Sequence, residues 1–185
     1  MKQNLKQLLS RRQKHRIVDA SRVSSAVLLP MYFKQGEYYL LFTKRTQKVK
    51  EHKGQISFPG GAKEGNETLV STALRECTEE IGLVAEDVEI LGELDDTISV
   101  TSNYVISPFV ALIPWPYHFK VSEEEIDELI EAPVSAFLDR ACQCQEDETM
   151  GDEVVISYSY CYQGRVIWGV TARVLKQFLD IWVSI

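Results

Sequence analysis

The chain has 185 residues, of which 45% are hydrophobic and 25% charged, and that length and balance suit one globular domain with a real core. The formal net charge of −7 argues against a broad nucleic-acid-binding surface, though not against a small anionic substrate met by a local basic patch. No apolar run approaches the ~20 residues of a membrane helix, so no membrane partner is expected.

The N-terminal MKQNLKQLLSRRQKHR is basic and lacks the apolar stretch of a secretory signal. A surface helix packed by Leu5, Leu8 and Leu9 is expected within residues 1–20, as a helical extension of a single domain spanning 1–185. Ser24 to Met31 and Tyr38 to Thr43 read as strands, joined by a turn at Lys34-Gln35-Gly36. Thr43 to Lys53 (TKRTQKVKEHK) holds five Lys or Arg against one Glu, a local excess in an acidic chain. A solvated basic loop would account for it. So would a patch that reads phosphate oxygens.

A glycine-bearing loop, FPGG, follows at Phe58 to Gly61, and then a helix from about Glu67 to Ile81. Asn66 is its expected cap and Gly82 its stop. Leu69, Val70, Ala73, Leu74, Cys77 and Ile81 form its packing side. Glu76, Glu79 and Glu80 stand at i, i+3 and i+4 and share one face beside that seam. Three glutamates alone would suit a solvated acidic face. Beside a glycine loop that can bring a backbone carbonyl close, they suit a hard cation such as Mg²⁺ or Mn²⁺ rather than zinc. A hard cation next to a water is a means of attacking phosphorus.

Further strands are expected at Val88 to Leu94 and Tyr104 to Ile113, the second broken by Pro114-Trp115-Pro116. The acidic Ser122 to Leu129 reads as a helical turn or a strand edge, and Pro133 as the start of a short helix to Leu138. Val154 to Tyr162 alternates like a strand, with a hairpin turn at Gln163-Gly164-Arg165. Val170 to Trp182 is an amphipathic helix. Strands dominate and two substantial helices lie far apart in sequence, so the class expected is α/β (α+β) with a mixed sheet. Cys77, Cys142, Cys144 and Cys161 form no pair of C-x2-C motifs, and free thiols in a reducing, cytoplasmic setting are expected.

Gly61, Glu67, Arg75, Glu76, Glu79, Glu80, Gly82 and Leu83 together match the pattern G-x5-E-x7-R-E-U-x-E-E-x-G-U, in which U is bulky and aliphatic. The chain thereby resembles the Nudix hydrolases; Cys77 in the first U place is its one departure. The resemblance implies an α/β/α sandwich with a catalytic loop–helix–loop and a C-terminal helix. It implies Glu79 and Glu80 as main metal ligands, helped by Glu76 and the Gly61 carbonyl, with Glu76 alternatively the general base. Arg75 would orient a catalytic carboxylate, and Glu67 would support the loop. A further acid from outside the box is expected, and Glu125 in SEEEIDE is the choice. His52 would be an accessory contact at most.

The segment LFTKRTQKVKEHKGQISFPGG also resembles the signature upstream of the box in coenzyme A pyrophosphatases, L-L-T-x-R-[SA]-x3-R-x3-G-x3-F-P-G-G. Leu41, Thr43, Arg45, Gly54, Phe58, Pro59, Gly60 and Gly61 align; Phe42 is inserted if Leu40-Leu41 is the leucine pair, or replaces a leucine if Leu41 is the first; Thr46 replaces Ser/Ala and Lys50 the second Arg. IWGVTARVL (Ile167 to Leu175) is similar to that subfamily's entry to the last helix. The implied reaction is metal-dependent hydrolysis of the CoA diphosphate to 3′,5′-ADP and 4′-phosphopantetheine. Arg45, Lys50 and Lys53 would take the phosphates, and Phe58 and Gly60 would complete the substrate contacts. ADP-ribose, NADH, a dinucleotide polyphosphate or an oxidised nucleotide is the alternative substrate, and a non-catalytic nucleotide-binding module the alternative class. Self-association as a homodimer stays open.

Overall fold

A computed structural model describes residues 1–48, 53–99, 102–150 and 153–185, the side chains of 145–150 and 153–156 excepted. Its centre is strand β1 (Val23–Lys34). The turn at Gln35-Gly36 returns the chain into β2 (Glu37–Arg45), and both residues have the positive φ that a tight hairpin turn needs. The two strands pair antiparallel from Met31↔Leu40 to Lys34↔Glu37. Towards the other end of β1 they part, and the returning chain fills the wedge. There β3 (Ile56–Ser57) pairs with β2, and β4 (Gly60–Ala62) pairs with β1. This wedge carries the glycine loop to the middle of the sheet.

Helix α2 (Leu69–Ile81) follows. Its cap is Thr68, whose Oγ1 accepts from the amide of Ser71, rather than the expected Asn66. Glu67, one residue earlier, is turned towards Arg75 instead. Gly82 ends the helix at φ 66°, where only a residue without Cβ is relaxed. Strand β5 (Glu89–Glu93), the short β6 (Thr97–Ile98) and β7 (Tyr104–Leu112) come next. β7 runs parallel to β1, with β5 and β6 antiparallel along its far edge. The acidic stretch resolves into a turn at 123–125 and strand β8 (Ile126–Pro133), which pairs with β2. The result is an eight-stranded mixed sheet.

Helix α3 (Val134–Leu138) leads into a separate three-stranded sheet of β9 (Gln143–Met150), β10 (Glu153–Tyr162) and β11 (Arg165–Ile167). Helix α4 (Gly169–Trp182) closes the chain, and α1 (Lys2–Arg11) opens it.

Side-chain alternation divides the core into two layers. Ala26, Leu28 and Tyr32 of β1, with Leu41, Phe109 and Ala111, meet Ala73, Cys77 and Ile81 of α2. Leu29 and Met31, with Leu40, Phe42 and Val110, meet Leu5 and Leu9 of α1 and Leu175, Phe178 and Leu179 of α4. Helices therefore cover both faces, the α/β/α sandwich expected. Leu8 is exposed while Leu5 and Leu9 are buried, so α1 packs on two leucines, not three. The helical part of the extension is shorter than residues 1–20. Beyond it, Arg12 to Ile17 is strapped to the β5–β6 connection. Lys14 reaches Asp96 at 2.8 Å, and Asp96 also accepts from Ser107 Oγ at 2.6 Å and the Ile17 amide at 3.0 Å. No helix among the described residues is long and apolar enough to cross a membrane.

Candidate functional site

The site lies where the wedge meets α2. Buried Ala73, Cys77 and Ile81 fix the helix against the sheet, so Glu76 and Glu80 rise on the flank facing β4. Burial, and then the Glu80 and Glu76 charges, push the Cys77 thiol well above its ordinary range, consistent with a packing role in the aliphatic position.

Glu80 is 2% exposed. Its Oε2 accepts from the amide of Gly60 at 3.2 Å and its Oε1 from Arg45 Nη1 at 3.3 Å. Burial pushes its carboxyl up to about 8; Arg45 and the Gly60 amide pull the other way, and the Glu76 and Glu125 charges add to the rise. Glu76 is half-buried, and its carboxyl too is raised, first by burial, against the pull of Arg75 and with help from Glu79 and Glu125. Glu79 is exposed on the rim. Glu125 sits on the turn before β8, its Oε2 3.9 Å from Arg45 Nη2. The acid chosen from outside the box thus stands beside the box carboxylates.

Arg75 is built into the helix flank. It reaches Glu67 at 3.0 and 3.2 Å, the Ala62 carbonyl at 3.0 Å, Glu76 at 2.8 Å and Glu79 at 3.1 Å. Glu67, locked by Arg75, the Glu64 amide and Thr72, is held down to about 2. Gly61 faces the Glu76 carboxylate so closely that a Cβ there would lie 2.5 Å from Oε1.

Three expected substrate contacts sit differently. Phe58 is 2% exposed and stacks on Phe42 at 4.6 Å, so its ring belongs to the core. Gly60 gives its amide to Glu80. Arg45 is turned inward to Glu80 and Glu125, because a register slip between Lys44 and Arg45 in the β2–β8 pairing redirects the strand there. Lys53 is exposed on the turn of the basic stretch. Lys50 and His52 lie outside the described residues. The pairing of Arg45 with Glu80 escaped the sequence reading, since the basic composition of residues 43–53 points every cation outward.

Hard oxygen donors fit a divalent cation. Buried Glu80 and half-buried Glu76, both with raised carboxyls, and the rim Glu79 offer hard oxygens beside the glycine loop, a donor set suited to a divalent cation. Among the described residues no three His, Cys, Asp or Glu side chains converge into a formed cage. The guanidinium groups of Arg75 and Arg45 occupy the carboxylates instead.

The NUDIX domain profile matches residues 22–149. The chain belongs to the Nudix family. Hydrolases of this family generally use divalent metal ions. The "Uncharacterized Nudix hydrolase NudL" of Enterobacter sp. (strain 638) is 35% identical over 159 residues, 85% of this chain and 81% of that protein. The protein of the same name from Photorhabdus laumondii is 32% identical over 163 residues, 88% of this chain and 86% of its own. Among solved structures, the Nudix hydrolase RenU of M. smegmatis superposes with TM-score 0.56 at 18% identity, covering 89% of this chain and 88% of that one. The MutT/nudix family protein from Enterococcus faecalis gives 0.60 at 14% identity, covering 90% and 64%. At such identities the structures speak for the fold.

Proposed function

We propose that this Nudix-family chain hydrolyses the diphosphate of coenzyme A or its derivatives, giving 3′,5′-ADP and 4′-phosphopantetheine. The observation that carries the substrate is the stretch from Thr43 to Gly61. Of its motif residues, Thr43 and Arg45 lie on β2, and Gly60 and Gly61 lie on β4, where Gly61 faces Glu76. The described part of the signature that resembles CoA pyrophosphatases thus adjoins the catalytic box in space, which supports reading the two together.

Glu76, Glu79, Glu80 and the Gly61 carbonyl would hold Mg²⁺ or Mn²⁺. When bound, the cation offsets charge on the diphosphate and lowers the pKa of a coordinated water. Arg75 orients Glu76 and Glu79 through a charge-assisted fork. Glu125, or Glu76 where it does not ligate the cation, takes the proton of the attacking water. One P–O bond forms, the bridging P–O bond breaks, and the leaving phosphate departs with the bridging oxygen. Lys53 and Lys50 hold the 3′-phosphate.

The test compares CoA with dephospho-CoA, which lacks only that phosphate. CoA should be cleaved with the higher kcat/KM, and Lys50→Ala with Lys53→Ala should erase the difference. Equal kcat/KM for the two substrates in the unmodified chain contradicts the assignment.

A further inference from the structure

We infer that Arg45 is the internal counter-cation of Glu80, a guanidinium standing in for the divalent charge and displaced from the carboxylate when a metal ion is taken up. The inference rests on the metal-dependent reading above. It assigns Arg45 a role as a positioning residue of the carboxylate set rather than as a phosphate contact.

The two site arginines differ in how they are held. Arg75 makes five contacts between 2.8 and 3.2 Å, to three carboxylates and a carbonyl. Among the described residues Arg45 makes two long ones, 3.3 Å to Glu80 and 3.9 Å to Glu125. Charge-assisted bonds in a built pair run at about 2.7–2.9 Å. The Arg45 Nε is buried with no hydrogen-bond partner among the described residues. Guanidinium groups are chosen for bidentate pairing, and this one is not used that way. It offsets charge without a fitted geometry.

The backbone around Arg45 is, by contrast, firmly placed. Its amide donates to the Gln55 carbonyl at 2.9 Å, and its own carbonyl accepts from the Gly54 amide at 3.1 Å. The next amide, of Thr46, donates to the Glu125 carbonyl at 2.8 Å. A fixed backbone with a loosely engaged head is an arm that can swing while its base stays. Glu80 needs such a partner. It is almost fully buried, and a buried carboxylate without a compensating charge is costly. Loose pairing leaves Glu80 neutralised yet available.

The test measures Mn²⁺ binding by calorimetry without substrate, in the unmodified chain, Arg45→Gln and Arg45→Lys. Removing a unit positive charge a few Å from a divalent site should tighten Mn²⁺ binding at least about tenfold in Arg45→Gln. Arg45→Lys, which keeps the charge, should stay within about threefold of the unmodified chain. Above pH 8, where Glu80 is ionised, the metal-free Arg45→Gln protein should also melt below the unmodified chain, and saturating Mn²⁺ should remove the difference. Unchanged or weaker Mn²⁺ binding in Arg45→Gln overturns the inference. If that variant does not fold, NMR of the Arg45 Nε–H signal in the unmodified chain decides. It should shift on titration with Mg²⁺, and a signal unmoved at saturation overturns the inference. Failure of the chain to cleave CoA removes the substrate reading and leaves these metal measurements intact.

Discussion

The amide of Gly60 donates to Oε2 of Glu80 at 3.2 Å, joining strand β4 to the last turn of α2. Through this bond the wedge between β1 and β2 sets the position of a buried carboxylate. Gly60 itself is pressed against β1 at a φ of 152°, and a Cβ there would meet the Ala26 carbonyl at 2.2 Å.

The two neighbouring glycines should therefore fail differently. At Gly60 the obstacle is backbone, which cannot give way. Gly60→Ala is expected to cost about 2 kcal/mol or more of stability. At Gly61 the obstacle is the end of the Glu76 side chain, which can move. Gly61→Ala should stay folded, within about 1 kcal/mol, but lose roughly 10²-fold in kcat by misplacing that carboxylate. Urea unfolding and steady-state kinetics on both variants check this. Equal loss of stability in the two would contradict it.

The carboxylates themselves give a second prediction. Glu79→Gln with Glu80→Gln removes charge and little packing. Turnover should fall on the order of 10³-fold, with the fold retained. Circular dichroism and an activity assay test the pair together, and full activity would contradict the metal assignment.

The protonation of Glu80 gives a pH dependence. Its carboxyl titrates near 8 in the folded chain, against an ordinary 4.5. Folding therefore favours the protonated form. The contribution of Glu80 to the stability of the metal-free chain should be full below about 4.5, be lost as pH rises to about 8, and level off beyond. A cation needs the ionised form. Mn²⁺ affinity should rise by up to about tenfold per pH unit towards 8 and then flatten. Calorimetric titrations across that range test both limbs, and a pH-independent affinity between 6 and 8 would contradict them.

Much of this site could be read from the chain before its fold. The box spacing brings Glu76, Glu79 and Glu80 to one flank because a helix repeats every 3.6 residues. The strands around it announce themselves by alternation. What was hidden depends on contacts between distant segments. Arg45 turns inward because of a register slip opposite β8, which no local pattern encodes. Phe58 belongs to a signature yet stacks on Phe42. β9, QCQEDETM, has no alternation of its own and becomes a strand by pairing with β10. Thr68 replaces Asn66 as cap because its hydroxyl is the one that reaches the Ser71 amide.

The basic N-terminal stretch hid a buried pair as well. Lys14 is 9% exposed and Asp96 7%; Lys14 also reaches Glu93 at 2.8 Å, and it supplies the positive charge that compensates Asp96. Lys14→Met strands a buried carboxylate and should cost about 3 kcal/mol. Urea unfolding measures it; a loss under about 1 kcal/mol would mean that Ser107 and the Ile17 amide suffice for Asp96.

The most direct measurement compares kcat/KM for CoA, ADP-ribose, NADH and a dinucleotide polyphosphate with Mg²⁺ and with Mn²⁺, the products separated by chromatography. The highest value should belong to CoA, with 3′,5′-ADP and 4′-phosphopantetheine released in equal amounts. A higher value for any of the other three, or no cleavage of CoA with either metal, would contradict the account.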